Sequence, residues 1–216
     1  MERFDETAWF LKKSTEEIGI SLNDEQIGIF ISYLEHLKRW NQTINLTSIT
    51  GDREIIIKHF IDSLSGLRAE MLVNNGSLLD IGTGAGFPGI PLKIVRPDLS
   101  LTLVEPVNKK VSFLRFIIGS FHLQKVSIFE GTLSQFLSSS WRDQLFDYVI
   151  ARALRHDKII MYLNQLLKKS GKALMYLSEP LDQRLLPSNL STDHEFAFEL
   201  PEKHGKRVIS VITVQI

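Results

Sequence analysis

Leu78-Leu79-Asp80-Ile81-Gly82-Thr83-Gly84-Ala85-Gly86-Phe87-Pro88-Gly89 carries the strongest architectural signal in the chain. An apolar, strand-like run leads into four glycines within eight residues, and a helix-compatible run follows. Glycines at such a turn let the backbone reverse tightly and approach a ligand with no Cβ in the way. A strand-to-helix turn that binds nothing is the plain alternative, and the density of glycines argues against it.

Downstream, short apolar runs alternate with helical stretches. SLLDIG, LTLVE, VSIFEG, FDYVIA and KALMYLS read as strands, and helices fit at 89–96, 107–121, 134–140 and 156–169. This alternation predicts a parallel sheet with crossover helices. At the end, HEFAFEL and RVISVITVQI are joined by PEKHGK with no room for a helix, so they predict an antiparallel hairpin closing the sheet. Upstream, residues 1–70 read as helical. Ser21 or Asn23 can cap a helix whose apolar face is Ile27, Phe30, Ile31, Leu34, Leu37 and Trp40. Residues 53–67 form a further helical pattern. The expected protein is a doubly wound α/β domain over 71–216, with a mostly parallel seven-stranded sheet, carrying a helical N-terminal extension over 1–70.

The 216 residues are 44% hydrophobic and 23% charged, enough apolar content to bury a core. There is no cysteine, which excludes disulfides, thiolate nucleophiles and thiolate-bound metals. No apolar run approaches the ~20 residues of a membrane span. The start, MERFDETAWFLKK, lacks a secretory pattern, so a soluble cytoplasmic protein, more simply a monomer, is expected. Basic and acidic residues balance at 25 each, with −4 over residues 1–70 and +4 over 71–216. That asymmetry is too small to diagnose nucleic-acid binding.

Gly84-x-Gly86-x-x-Gly89, with Glu105 following Gly84 by 21 residues, fits a dinucleotide fingerprint. Asp80 argues otherwise, because a carboxylate beside the helix N-terminus repels a pyrophosphate. S-adenosylmethionine carries an ammonium and a sulfonium and no phosphate, and the Asp80, Gly82, Gly84, Gly86 pattern suits it better. Glu105 ends the second strand, where a carboxylate can accept both ribose hydroxyls of an adenosyl group. The loop Gly131-Thr132-Leu133-Ser134 is placed to cover the adenine, through Leu133 and a backbone amide. Phe87 fits either the cofactor's surroundings or the core.

With the loop, the run LVEPVNKKVSFLR resembles the ribosomal RNA small-subunit methyltransferase G family, also called glucose-inhibited division protein B. Trp40-Asn41 with Ile44-Asn45-Leu46-Thr47 is similar to the family's WN-x-x-x-NLT loop, Lys58 to Leu64 to its HF-x-DSL helix, and Ala151-Arg152-Ala153 to its ARA segment. The resemblance runs in order from about residue 20 to the C-terminus. It implies a Rossmann-like methyltransferase that moves the methyl group of S-adenosylmethionine to N7 of one guanine in the decoding region of 16S rRNA, within the 30S subunit or an assembly intermediate. It also implies cofactor contacts at Gly82, Phe87, Glu105, Pro106, Val107, Leu133, Ser134 and Arg152. RNA contacts are expected at Asn45, His59, Lys109, Lys110 and Arg155. The chain departs from the family at Glu105-Pro106, where Asp-Ser is usual, at Lys110, where Arg is usual, and at Ser178-Glu179-Pro180, where Lys-Gly is frequent.

Guanine N7 has a free lone pair, so its methylation needs no general base. Approach, alignment and desolvation then supply the rate. Arg152 and Arg155 lie beyond the strand FDYVIA, and Arg152 is expected to position the base rather than to move a proton. A salt bridge within the fold is the other reading. His59 and Asp62, three apart on a helix, read as a proton relay or as a local surface pair. Asn45 and Thr47 contact RNA or simply turn the chain. No residue cluster has metal-ligand spacing, and Ser63 and Ser65 lack a nucleophile elbow. Two other functions stay open: a nicotinamide-dependent oxidoreductase, and a non-catalytic RNA-binding or ribosome assembly factor on the same fold.

Overall fold

The computed structural model describes residues 2–152 and 156–215. The N-terminal region opens with α1 (Glu2–Glu17) and α2 (Asp24–Ile44). Asn23 starts α2 through a capping box with Gln26, and Asp24 and Glu25 face the positive end of the helix dipole. Ile27, Phe30, Ile31, Leu34 and Leu37 are buried as their spacing predicts, and Tyr33 joins them. Asn45 ends the helix in the left-handed conformation at φ 50°. The next helix runs as α3 (Asp52–Ile55), a π-helical segment Ile56–Ile61, and α4 (Asp62–Leu64); α5 (Gly66–Ala69) follows.

From Ser77 the chain alternates. The elements are β1 (Ser77–Ile81), α6 (Gly89–Val95), β2 (Ser100–Glu105), α7 (Asn108–Ser120), β3 (Val126–Glu130), α8 (Leu133–Leu137) and β4 (Phe146–Arg152). Then come α9 (His156–Ile160), α10 (Leu163–Leu166), β5 (Leu167–Leu177), β6 (Leu190–Glu199) and β7 (Lys206–Val214). They build a seven-stranded sheet in the order β3-β2-β1-β4-β5-β7-β6. Strands β1 to β5 are mutually parallel, and β7 runs antiparallel to both β5 and β6. The strand order reverses between β1 and β4, which opens a crevice at their carboxyl ends.

Two helix expectations need correction. The pattern over 156–169 divides into α9 and α10, and from Leu167 the chain is already β5. Phe146 pairs with Leu167 while Tyr148 pairs with Lys172, so Lys168 to Gly171 form a bulge whose exposed lysines mimic a helix face. A Cβ at Gly171 would lie 2.8 Å from the Phe146 carbonyl oxygen, so this close approach requires glycine. The helix expected over 134–140 is shorter, Leu133–Leu137.

One sheet face packs against α6, α7 and the N-terminal helices. Phe30, Tyr33 and Phe60 share a continuous buried cluster with Phe87, Phe113, Leu174 and Ile209. The opposite face buries Leu79, Val149 and Met175 against Phe136, Ile160, Leu163 and Leu166. Full burial of such side chains contributes ~1.5–3 kcal/mol each. The boundary near residue 70 is therefore a change of pattern within one core: the extension forms part of the wall beside the crevice.

Candidate active site

The glycine loop leaves β1 with Gly82, Gly84 and Gly86 at φ 69°, 63° and 98°, values in the left-handed region. The Gly82 and Thr83 amides both donate to the Val104 carbonyl, at 2.8 and 3.2 Å. The Gly84 amide donates to Glu105 Oε2 at 2.9 Å, and the Val107 amide to Oε1 at 3.0 Å. Glu105 thus ties the loop after β1 to the turn after β2. A Cβ at Gly84 would meet no atom within 4 Å, so that position opens onto free space. Gly86 is different: a Cβ there would sit 2.5 Å from Tyr33 Oη and 2.7 Å from Ile90 Cδ1. Its place in the structure is against α2, beneath the outer part of the loop.

Asp80 is fully buried. Its Oδ2 accepts from Thr83 Oγ1 at 2.7 Å and from the Gly89 amide at 2.8 Å, and its Oδ1 has no partner. Burial pushes its pKa up to about 6, against the opposing pull of those two bonds. The expectation that Asp80 faces a cationic ligand therefore needs revision, since the carboxylate acts on the protein's own loop. It occupies the amide that opens α6, where a dinucleotide would set its pyrophosphate. A buried carboxylate already bonded to that amide disfavours a pyrophosphate there.

Beside this loop, β2 and β3 end in register, with Glu105 opposite Glu130 and the Gly131 amide donating to the Glu105 carbonyl at 3.1 Å. Glu105 is 3% exposed, whereas Val107 is 44% exposed. Pro106 and Ser134 are exposed and Leu133 is half-buried. The ends of β1, β2 and β3 therefore bring Gly82, Gly84, Glu105, Pro106, Val107, Leu133 and Ser134 to one edge. These residues fit an adenosyl group: each carboxylate oxygen of Glu105 retains acceptor capacity beyond its one amide, and Val107 and Leu133 offer apolar surface. Lys109, exposed, and Lys110, half-buried, lie in the first turn of α7, directly after Val107.

Across the crevice, Arg152 is the last residue of β4 rather than part of the following loop. Its Nη1 donates to the Lys58 carbonyl at 2.9 Å and to Asp62 Oδ2 at 3.0 Å, and its Nη2 to His59 Nδ1 at 3.1 Å. Its guanidinium carbon lies 5.3 Å from the Phe87 ring centre, within cation–π range. The π-helical segment prepares this grip. Asp62 N–H bonds to Ile57 five residues back, and the Lys58 carbonyl receives Arg152. Arg207 Nε stands 3.6 Å from Asp62 Oδ1.

His59 and Asp62 are neither a relay nor a surface pair, since both bind Arg152. A guanidinium only donates, so His59 Nδ1 accepts and its Nε2 carries the proton, donated to Thr47 Oγ1 at 2.8 Å. Burial, and secondly the charge of Arg152, hold the imidazole's pKa down to about 3. The ring stacks on Phe87 at 4.6 Å and 8°. Phe87, 4% exposed, also stacks on Tyr33 at 5.4 Å. Asn45 is exposed and terminates α2. Arg155 lies outside the described residues. A cavity of about 410 Å³ at this rim is lined by Lys58, His59, Asp62, Arg152, His156 and Arg207 among others. Residue spacing carries no signal for Tyr33 or Arg207 at this rim, nor for the task of the Asn41 side chain, which donates to the Thr47 carbonyl and accepts from the Thr47 amide, both at 2.9 Å.

A family model for rRNA small subunit methyltransferase G matches residues 26–207. The chain belongs to this family. Curated members include the ribosomal RNA small subunit methyltransferase G proteins of Clostridium beijerinckii and Lactococcus lactis. The first is 37% identical over 82% of this chain and 75% of its own length. The second is 34% identical over 94% and 88%. The match to the Alkaliphilus metalliredigens protein, at 38% identity, spans 62% of that relative's length, less than two thirds. Among solved structures, TrmN from Thermus thermophilus superposes with a TM-score of 0.61 at 15% identity, over 82% of this chain and 52% of that one. A precorrin-6y C5,15-methyltransferase from Geobacter metallireducens gives 0.52 at 19% identity, over 79% and 91%. These two likenesses establish the Rossmann-like methyltransferase fold.

Two further features bear on this family member. Glu70, Asp193 and His194 have ligand atoms within 4.8 Å of one another. Lys172 Nζ donates to Glu70 at 2.8 Å and to Asp193 at 3.1 Å, so an ammonium already offsets one of the two carboxylate charges and occupies both carboxylates. Among the described residues no helix is long and apolar enough to cross a membrane.

Proposed function

We propose that this protein transfers a methyl group from S-adenosylmethionine to N7 of one guanine in the decoding region of 16S rRNA, presented in the 30S subunit or an assembly intermediate, in the cytoplasm. The observation that carries this reading is the pairing of two rims across one crevice. Gly84 and Glu105 stand on one side, and on the other a cavity whose lining carries three cations, Lys58, Arg152 and Arg207, against one carboxylate, Asp62, with Lys58 also paired to Glu54 at its edge. The first suits an adenosyl group and the second an anionic polymer. Family membership supplies the rRNA.

When bound, S-adenosylmethionine supplies an electrophilic methyl on a sulfonium. The chain's part is to hold and align. Gly82 and Gly84 allow close approach, Glu105 accepts the ribose hydroxyls, and Val107 and Leu133 cover the adenine. At the acceptor side no free base is needed, because N7 bears no proton. The rim agrees with that chemistry: His59 is neutral with its lone pair committed to Arg152, and Asp62 is ion-paired. The remaining rate comes from geometry and exclusion of water. The test is methyl transfer to 30S subunits from cells lacking the enzyme, with the modified base mapped by the lability of N7-methylguanine. Binding of NADH without binding of S-adenosylhomocysteine would remove the reading.

A further inference from the structure

We propose that His59 is a positioning residue for methyl transfer, holding Arg152 and Phe87 in register across the crevice through an unprotonated Nδ1 and a stacked ring. This rests on the methyl-transfer reading and assigns a task within that same site. His59 touches three separate parts of the chain. Its Nε2 donates to Thr47 on the loop after α2, its Nδ1 accepts from Arg152 at the end of β4, and its ring lies on Phe87 of the glycine loop. Each contact constrains the others. Thr47 is held by Asn41 through two bonds, and its Oγ1 also accepts from the Ile49 amide at 3.1 Å. A ring fixed at Nε2 must present Nδ1, and not N–H, to the guanidinium. Arg152 is thereby gripped by the Lys58 carbonyl and His59 of the π-helical segment and by Asp62, the first residue of α4.

The arrangement links the two rims physically. Phe87 belongs to the loop that carries Gly84, and Arg152 lines the cavity on the opposite rim. A rotation of His59 would shift the stacked Phe87 and release one arm of the guanidinium together. Small misplacements of reacting groups are costly in rate. The consequence is a defect in turnover that exceeds any defect in cofactor binding. RNA affinity is also spared, because His59 adds no charge.

The test compares His59→Phe, which keeps the stack and removes the acceptor, with His59→Asn, which keeps an acceptor near the Nδ1 position. Single-turnover methylation of 30S subunits is measured with both substrates saturating, alongside calorimetric titration with S-adenosylhomocysteine. His59→Phe is expected to slow transfer at least ~30-fold while its S-adenosylhomocysteine affinity stays within about threefold. His59→Asn is expected to recover at least ~5-fold of that loss. A wild-type rate in His59→Phe overturns the proposal. So does a rate loss matched by an equal loss of cofactor affinity, or absence of rescue in a folded His59→Asn. A wild-type protein that methylates no 30S subunit would instead remove the functional reading beneath it.

Discussion

The backbone amide of Gly84 donates to the carboxylate of Glu105 at 2.9 Å, joining the glycine loop after β1 to the last residue of β2. These groups lie 21 residues apart and meet because parallel β1 and β2 end side by side. On the proposed reading, this junction shapes the cofactor edge through the protein's own hydrogen bonds, which reduces the ordering that binding demands.

Gly84→Val should abolish S-adenosylhomocysteine binding in a protein that still folds. The new side chain points into free space, so packing is intact, though φ 63° strains a β-branched residue by ~1–2 kcal/mol. Calorimetry on the folded variant decides this, and wild-type affinity would refute it. Gly86→Val should behave differently and lose stability first, because its Cβ would collide with Tyr33 and Ile90.

Glu105→Ala removes the acceptor of two backbone amides and, on the proposed reading, of two ribose hydroxyls. Hydrogen bonds to a charged group contribute ~1.5–3 kcal/mol each and do not add simply, so cofactor affinity should fall at least ~10-fold. A loss below about threefold would mean that the ribose is held elsewhere.

Asp80 and His59 pull the pH dependence of stability in opposite directions. Unfolded, Asp80 titrates near ~4, and folded near about 6, so its contribution falls as pH rises through that window and is level above it. His59 is depressed to about 3, so its contribution is present above ~6.5 and is lost as pH drops toward 3. Between pH ~4 and ~6 they offset each other. Asp80→Asn unmasks the histidine. Relative to wild type, the variant should lose ~3 kcal/mol as pH falls from ~6 to ~4, at ~1.4 kcal/mol per unit. Urea denaturation at several pH values measures this, and a constant difference between the two proteins would contradict it.

Arg152→Ala should damage both stability and turnover. It leaves Asp62, 6% exposed, with only Arg207 at 3.6 Å among the described residues. Breaking a buried pair costs ~3–5 kcal/mol. In protein that remains folded, methylation at saturating S-adenosylmethionine should fall ~10²-fold or more. Arg152→Lys should rescue only in part, since an ammonium cannot reach the Lys58 carbonyl, His59 and Asp62 with the same fork. An unchanged single-turnover rate in Arg152→Ala would limit this residue to structure.

The junction of the glycine loop with the end of β2, the edge proposed for the cofactor, was legible because its determinants are local: a glycine loop directly after a strand, and an acid at the next strand's end. The acceptor rim was less so. Tyr33 and Ala85 are 52 residues apart, and only folding shows that the tyrosine hydroxyl reaches the loop carbonyl. Arg152 reads equally as a base-positioning group or an ion pair until His59 and Asp62 are seen around it. The π-helical register that turns Lys58 toward it has no signature in residue type. The bulge at Lys168 to Gly171 misled the helix assignment, because two exposed lysines after Leu166-Leu167 look amphipathic.

The decisive measurement is transfer of radiolabelled methyl from S-adenosylmethionine to 30S subunits purified from cells lacking the enzyme. Label is expected on N7 of one guanine in the decoding region of 16S rRNA, approaching one methyl per subunit. No incorporation, or label on another atom or another RNA, would contradict it.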